Sequence, residues 1–515
     1  MSRSKMLSLS TYVALAAACL VAPSRAQCSC EWIEDQKLLA SPPSAHASLG
    51  VSASIDGDWM VLGAPGDGGV GKAHVFTFGG ATWVHSTTLD PGGSTDLHFA
   101  HSVSIKGDLI VVGAPYANNH AGKAYVYRFD GFNWNFEAIL TSSTPADNEE
   151  FGWSVSVDGN VIAVGARFED AAYTFRFIGG NWVEEQVLTG DAGDTFGLSV
   201  SLSGNTLLVG APENDDSGAN AGAIYIYRFD GSIWVPDPGK VFASDAAAGA
   251  HFGHSVSVHG DLAVVGAYEP GIGPGAAYVL RFDCSEWTEE KFRASDGAVG
   301  DVFGWSVAAG DDVVIVGAHG ALNHHGTAYG YRWNGSQWTE HRMRASNGAF
   351  QDWLGYSVAV SDETIVAGAD GDDEQSMTDA GSAYVFHVSD TTWATYGEGL
   401  PGTNGVPMLA PQNCPVIGQS FSLDISNSLS SETTGFLMLG YSDACTETGL
   451  GGKLLVLVQS VTAIPLPDSG VTLTATIPND PALEGLHIYL QILVQDVGAF
   501  AGVSFSPGLD LTFEY

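Results

Sequence analysis

The passage from Phe99 to Leu140 is written, with variations, seven times along the chain, and this repetition limits the fold more than any other feature. It reads F-A-H-S-V-S-I-K-G-D-L-I-V-V-G-A-P, a polar loop, then G-K-A-Y-V-Y-R-F-D-G-F-N-W-N-F-E-A-I-L. Ser102 to Ile105 alternates small or polar with apolar residues, the period-two pattern of a half-buried strand. Lys106-Gly107-Asp108 is a tight-turn cluster, so Leu109 to Val112 returns as the second arm of a hairpin. Ala124 to Phe129 alternates again, and Trp134 to Leu140 supplies a fourth run. The V-G-A glycine recurs at Gly63, Gly113, Gly165, Gly210, Gly266, Gly317 and Gly368. A tryptophan keeps the same beat at Trp83, Trp134, Trp182, Trp234, Trp287, Trp338 and Trp393. Four short strands cannot bury both faces alone. A period of about fifty residues with four strands per unit predicts an all-β, seven-bladed β-propeller.

Each recurring residue has a physical reason. The aromatic that opens a repeat (Phe99, Phe151, Phe196, Phe252 and Phe303, with Leu49 and Leu354 as substitutes) plugs the gap between blades. The glycine after it (Gly152, Gly197, Gly253, Gly304) suits a backbone that bends or is approached closely. Val-Gly-Ala puts small residues where inner strands crowd towards the axis. The tryptophan offers a flat surface for covering the next blade.

Residues 1–26 have the form of an export signal: Arg3 and Lys5, an apolar stretch from Leu7 to Val21, and Ser24-Arg25-Ala26 as the cleavage site. The apolar run is too short and Ala-rich for a membrane span, and no later segment is apolar enough to cross one. The expected localisation is secreted, extracellular or cell surface. The chain carries 58 acidic against 19 basic residues, a net charge of −39, which argues against nucleic acid or an anionic membrane as partner. Beyond the leader lie Cys28, Cys30, Cys284, Cys414 and Cys445. Export permits disulfides, and Cys414 with Cys445, both in the tail, is the candidate pair. The odd count leaves at least one thiol free or intermolecular.

Glu31 to Ala40 (E-W-I-E-D-Q-K-L-L-A) reads as an orphan fourth strand, comparable with N-W-V-E-E-Q-V-L-T at Asn181 to Thr189. After Trp393 the last repeat runs into Gly397-Glu398-Gly399-Leu400-Pro401-Gly402, which breaks any strand. Trp32 to Leu39 is therefore expected to complete the blade that the seventh repeat leaves unfinished, latching the ring and removing an exposed edge.

F-G-x-S-V-S-V … V-G-A-P, seven times over roughly residues 31–395, resembles the FG-GAP repeat of integrin α-chain propellers and many bacterial secreted proteins. The resemblance implies a seven-bladed propeller that binds proteins or glycans and often holds calcium. Integrin-type repeats carry an acidic D-x-D-x-D-G-like loop between first and second strands, which supplies oxygen ligands to calcium. Here that connection is a bare turn: Asp56-Gly57-Asp58, Lys106-Gly107-Asp108, Asp158-Gly159-Asn160, Ser203-Gly204-Asn205 and His259-Gly260-Asp261. The resemblance is thus to a metal-poor branch in which no cofactor is required.

Longer loops join strands two and three, on the same face as the blade-to-blade connections, and loops on a rigid scaffold are where function concentrates. Two are acidic: Glu213, Asp215 and Asp216, and then Asp370, Asp372, Asp373, Glu374 and Asp379. Asp370, Asp372, Asp373 and Asp379 are candidate calcium ligands, against the alternative of a solvated acidic loop. His324-His325 with His319 is a candidate transition-metal set, against exposed histidines. No G-x-S-x-G elbow or H-E-x-x-H occurs, so the expectation is a non-enzyme.

Repeats stop near Thr395. Residues 396–410 read as a linker, and short apolar runs at Phe421–Ile425, Phe436–Leu439, Leu454–Val458, Val471–Ile477, His487–Val494 and Leu511–Phe513 suit a small β-sandwich over 411–515. The tail also resembles a C-terminal module of bacterial secreted proteins. The expected function is an exported binding or adhesion scaffold, a monomeric propeller over 27–395 that recognises a protein or glycan of unidentified kind. The rivals are a self-assembling envelope component and a polysaccharide-active enzyme.

Overall fold

The computed structural model describes residues 32–512 apart from 33, 81, 93–96, 283–286, 334–336, 375–376, 388–392, 397–399, 412–419, 430, 441–442, 448–452, 479–486, 500–501 and 507. The export signal lies outside the described residues. So does the Cys414–Cys445 pairing, because Cys414 and the Cys445 side chain are not described. Among the described residues no helix is long and apolar enough to cross a membrane. The chain divides into two compact units, Glu31–Val388 and Ser389–Tyr515.

The first unit contains seven four-stranded antiparallel sheets. In blade two the strands are Ser102–Lys106, Leu109–Ala114, Lys123–Phe129 and Trp134–Leu140. The turn between the first two needs only two residues, because Gly107 takes a positive φ of 57° that L side chains rarely adopt. The second strand, L-I-V-V-G-A, is buried at all six positions, as expected of a strand with neighbours on both faces.

Blade seven contains Val358–Ser361, Thr364–Ala369 and Ser382–His387, and its fourth strand is Glu34–Leu38, antiparallel to Ser382–His387. Side-chain chemistry marks that strand as a true fourth strand. Gln36 exchanges two hydrogen bonds with the backbone of Trp83 in blade one, as Gln186 does with Trp234 between blades three and four. Glu34 accepts from the Ser346 amide, as Glu184 accepts from Ser143. The expected role of Trp393 is corrected. Trp393–Tyr396 pairs with Gly508–Thr512 of the second unit, since Glu34–Leu38 already fills the edge of blade seven. The first compact unit ends at Val388.

Seven apolar clusters lie between consecutive blades and close the ring, the last joining Leu38, Val366 and Val385 of blade seven to Leu62 and Trp83 of blade one. The plugs are core: Phe99, Phe151, Phe196, Phe252, Phe303, Leu49 and Leu354 are fully buried. Phe99 meets Tyr125 edge to face, and Phe151, Phe196, Phe252 and Phe303 repeat that contact with Tyr173, Tyr225, Tyr278 and Tyr329. The tryptophans cover the preceding blade rather than the next: Trp134 meets Trp59 edge to face, and Trp182 Nε1 donates to Glu137.

The S-V-S triplet has a role that alternation alone does not reveal. Its first serine donates to the carbonyl of the F-G position in the following blade: Ser102 to Gly152, Ser154 to Gly197, Ser199 to Gly253, Ser306 to Gly355. Ser357 donates to Gly50 at 2.7 Å, carrying the seam from blade seven to blade one. The V-G-A glycine faces that same carbonyl. A Cβ at Gly113 would stand 2.0 Å from the Gly152 oxygen, so no larger residue fits.

In the second unit Trp393–Tyr396, Gly508–Thr512, His487–Gln495, Thr433–Gly440 and Ser460–Leu466 form one sheet, with Val503–Phe505 beside His487–Gln495. Leu409–Pro411, Ser420–Ile425 and Val471–Thr476 form a second. Leu423 and Ile425 share one core with Leu466, Ile492 and Leu509, so the sheets face each other as a sandwich.

Candidate functional site

Each blade sends two residues to the loop-face end of its inner strands: the one after the F-G glycine and the one after V-G-A. In several blades these are bulky and polar, unlike the core positions beside them. They form two clusters.

The first joins blades two and three. His101 packs on Trp153, ring centroids 4.1 Å apart, and its Nδ1 lies 3.3 Å from the Trp153 carbonyl. Burial pushes His101 down to about 4. The Arg167 guanidinium lies 3.2 Å over the Trp153 ring, and its Nε donates to the buried Glu150 at 2.7 Å. A cation, an aromatic face and a carboxylate thus satisfy one another.

The second joins blades five, six and seven. His254 packs on Trp305 at 4.4 Å, Tyr268 stands edge-on to Trp305 at 5.3 Å, and His319 meets the same ring at 4.7 Å. Tyr356 is 5.6 Å from Trp305 and 5.4 Å from His319. Burial holds His254 and His319 down to about 4, so both imidazoles are neutral at physiological pH. Burial also pushes Tyr356 up to about 12, with the Asp370 charge adding to it. Asp370 is 8% exposed, and burial pushes its carboxyl up to about 7. Its Oδ1 and the Nδ1 of His319 are buried without a hydrogen-bond partner.

The four aspartates expected as calcium ligands have separate surroundings. Asp372 takes Lys37 Nζ at 2.7 Å and accepts from Ser382 and Tyr384. Asp373 accepts from the Asp379 amide, while Asp379 lies 3.1 Å from His46 Nδ1. Asp370 follows the strand that Tyr356 adjoins, the Tyr356 amide donating to the Gly368 carbonyl at 3.3 Å, and its charge bears on the Tyr356 hydroxyl. No group of three or more His, Cys, Asp or Glu gathers as metal ligands among the described residues. Nor is the loop simply solvated, because Asp370 and Asp372 are buried. His319 belongs to the aromatic cluster, whereas His324 packs near Phe350. The bare turns use their carboxylates between blades: Asp56 accepts from Lys106 Nζ and the Gly107 amide.

Sequence reasoning missed His101, Trp153, His254, Trp305 and Tyr356. A signal was present, since the residue after an F-G or L-G pair is aromatic or histidine in most repeats while its neighbours stay small.

Seven four-stranded blades, closed by an early strand and carrying aromatic clusters at one end of the axis, define a β-propeller of the repeat-built kind. The FG-GAP repeat matches at residues 32–76, 87–127, 134–175, 182–227, 237–280, 287–331 and 338–386. Together these cover more than half of the chain, which belongs to the FG-GAP repeat family. Most matched units begin at or near a fourth strand and end in the third strand of the next blade, so the first includes the closing strand. Among solved structures, the chain is similar to the WD40 domain of Toxoplasma gondii coronin, with 10% identity, a TM-score of 0.39, and coverage of 71% of this chain and 87% of that one. No curated protein matches the chain.

Proposed function

We propose that this is an exported binding or adhesion scaffold whose propeller recognises a protein or glycan on its loop face, outside the cytoplasm. The observation that carries this reading is the cluster of Tyr268, Trp305, His319, Tyr356 and Asp370, where half-buried aromatic rings surround two buried polar atoms that have no partner. An unpaired buried polar group is destabilising, and a ligand that donates to these two would relieve that cost. The reading extends to a non-catalytic protein of the metal-poor, integrin-like type, with no resident cofactor.

A second observation favours self-association in an envelope. Val84, Phe136, Ile139, Val183 and Val187, on the outermost strands of blades one to three, are at least 40% exposed.

The test is capture from envelope and extracellular-matrix extracts by the full mature chain, with Trp305→Ala and Tyr356→Ala variants alongside. The expected result is a saturable partner that both variants lose and chelator leaves bound. Capture that is indifferent to both substitutions would remove the loop-face reading. Concentration-dependent self-assembly without capture would favour the envelope alternative, and turnover of an envelope polysaccharide would favour an enzyme.

A further inference from the structure

We propose that the axial cluster between blades six and seven binds an unbranched alkylammonium, the chemistry of a lysine side chain presented by a protein partner, with Asp370 as counter-charge and His319 as second acceptor. This rests on the loop-face reading above and names the ligand chemistry of that site.

The argument begins with the two unpartnered atoms. Asp370 Oδ1 is a carboxylate oxygen with no donor, on a side chain more than nine-tenths buried. His319 Nδ1 is buried and unpartnered as well, and the neutral state of that ring leaves one nitrogen with a lone pair. Tyr356 stands beside both, 5.4 Å from the His319 ring and within electrostatic reach of Asp370. Two buried acceptors close to one aromatic ring call for a donor. A primary ammonium has three N–H donors and no acceptor, and it is attracted to aromatic faces.

Blade three shows that a cation is held against an aromatic ring and a carboxylate at this end of the inner strands. Arg167 occupies the position after V-G-A that His319 and Asp370 hold in their own blades. It lies over Trp153 and pairs with Glu150, so there the chain supplies its own cation. Several other buried carboxylates on the loop face have basic partners: Asp67 has Lys72 and His74, Glu269 has Arg293, and Asp372 has Lys37, while Asp194 and Asp352 accept from the Asn214 side chain and the Ala349 amide. Asp370 has Tyr356 nearby and, among the described residues, no ion-pair partner. The surrounding charge of −39 draws cations towards it and repels anions. Trp305 and Tyr356, in contact with centroids 5.6 Å apart, offer half-buried ring surface for methylenes to pack against, and an unbranched chain brings no hydroxyl groups that would lose water there.

The full mature chain is titrated with Nα-acetyl-lysine methyl amide, following tryptophan fluorescence and calorimetry. The ε-acetylated analogue and glucosamine serve as comparisons. Saturable binding of the lysine amide is expected, with none of the acetylated analogue and weaker binding of glucosamine. Asp370→Asn, which keeps the shape, is expected to weaken binding by about tenfold or more, and His319→Phe by less. Circular dichroism and thermal melting of both variants separate loss of site from loss of fold. Equal binding of the acetylated analogue, preference for glucosamine, an unaffected Asp370→Asn or no saturation would each overturn the proposal. If amines fail while Trp305→Ala still abolishes capture from extracts, only the ligand chemistry is wrong. If that capture is also indifferent to Trp305, the loop-face reading falls with it.

Discussion

Trp32 occupies the space that a side chain at Gly330 would need: a Cβ built on Gly330 would stand 1.8 Å from Cζ3 of the Trp32 ring. Other third strands carry a larger residue at this point, such as Val126 in A-Y-V-Y-R-F and Ile226 in A-I-Y-I-Y-R-F, whereas blade six reads A-Y-G-Y-R-W. Trp32 also stacks on His341 at 4.6 Å and 11°, and it is 2% exposed. Blade six has thus lost a side chain where the closing segment inserts one.

Gly330→Val should therefore expel Trp32 and destabilise the propeller by about 1–3 kcal/mol, the usual range for overpacking. Adding Trp32→Ala should recover part of that loss, because the two substitutions compete for one volume. Denaturant melts of the single and double variants measure this, and strict additivity would contradict the contact.

Gln36→Ala should cost about 1–2 kcal/mol by leaving the Trp83 backbone groups without their partner. Gln186→Ala, which breaks the same pair of bonds with Trp234, is the matched control. Equal losses in Tm are expected. A Gln36 effect far below that of Gln186 would mean that the closing strand holds less firmly than an ordinary fourth strand.

Ser357→Ala removes the bond to the Gly50 carbonyl that joins blade seven to blade one. The expected cost is about 1 kcal/mol, matched by Ser102→Ala at an internal seam. Gly368→Ala should be far worse, since its Cβ would stand 2.0 Å from the same Gly50 oxygen. If the folded yield of Gly368→Ala equalled that of wild type, the close approach would be refuted.

Asp370 sets a pH dependence whose sign follows from its raised value. Between 3.8 and about 7 the folded chain retains a proton that the unfolded chain has released, so stability falls as pH rises through that window. Asp370→Asn should accordingly stabilise the protein at pH 8, by at most about 4 kcal/mol, and change little at pH 4. Melts at both pH values check this, and an equal effect at the two would contradict it.

The blade pattern is legible because each blade repeats the same local solution: alternating strands, a glycine turn, an aromatic plug. Even the closing strand is readable, since Glu34 and Gln36 reproduce the spacing of Glu184 and Gln186. Trp393 misleads for a physical reason. Counting Trp32, eight tryptophan-led runs compete for seven edges, and a strand's own residues do not record which neighbour it reaches first. In the tail, Ser460–Leu466 contains Pro465, which reads as a breaker yet is tolerated because the strand lies at a sheet edge. The axial cluster is less legible, because His254, Trp305 and Tyr356 occupy a position whose residue changes from blade to blade and whose partners lie one blade away.

The closing strand also sets an order of events in time. Glu34–Leu38 is made first but hydrogen-bonds to Ser382–His387, almost the last part of the propeller to be made. At synthesis rates of roughly 5–20 residues per second that interval is on the order of tens of seconds. Throughout it the early segment has no partner and blade seven does not exist, so the ring matures in one late step. Contacts this distant in sequence make slow folding. Until that step the propeller is an open arc, and one strand pairing, Glu34–Leu38 on Ser382–His387, makes it a circle.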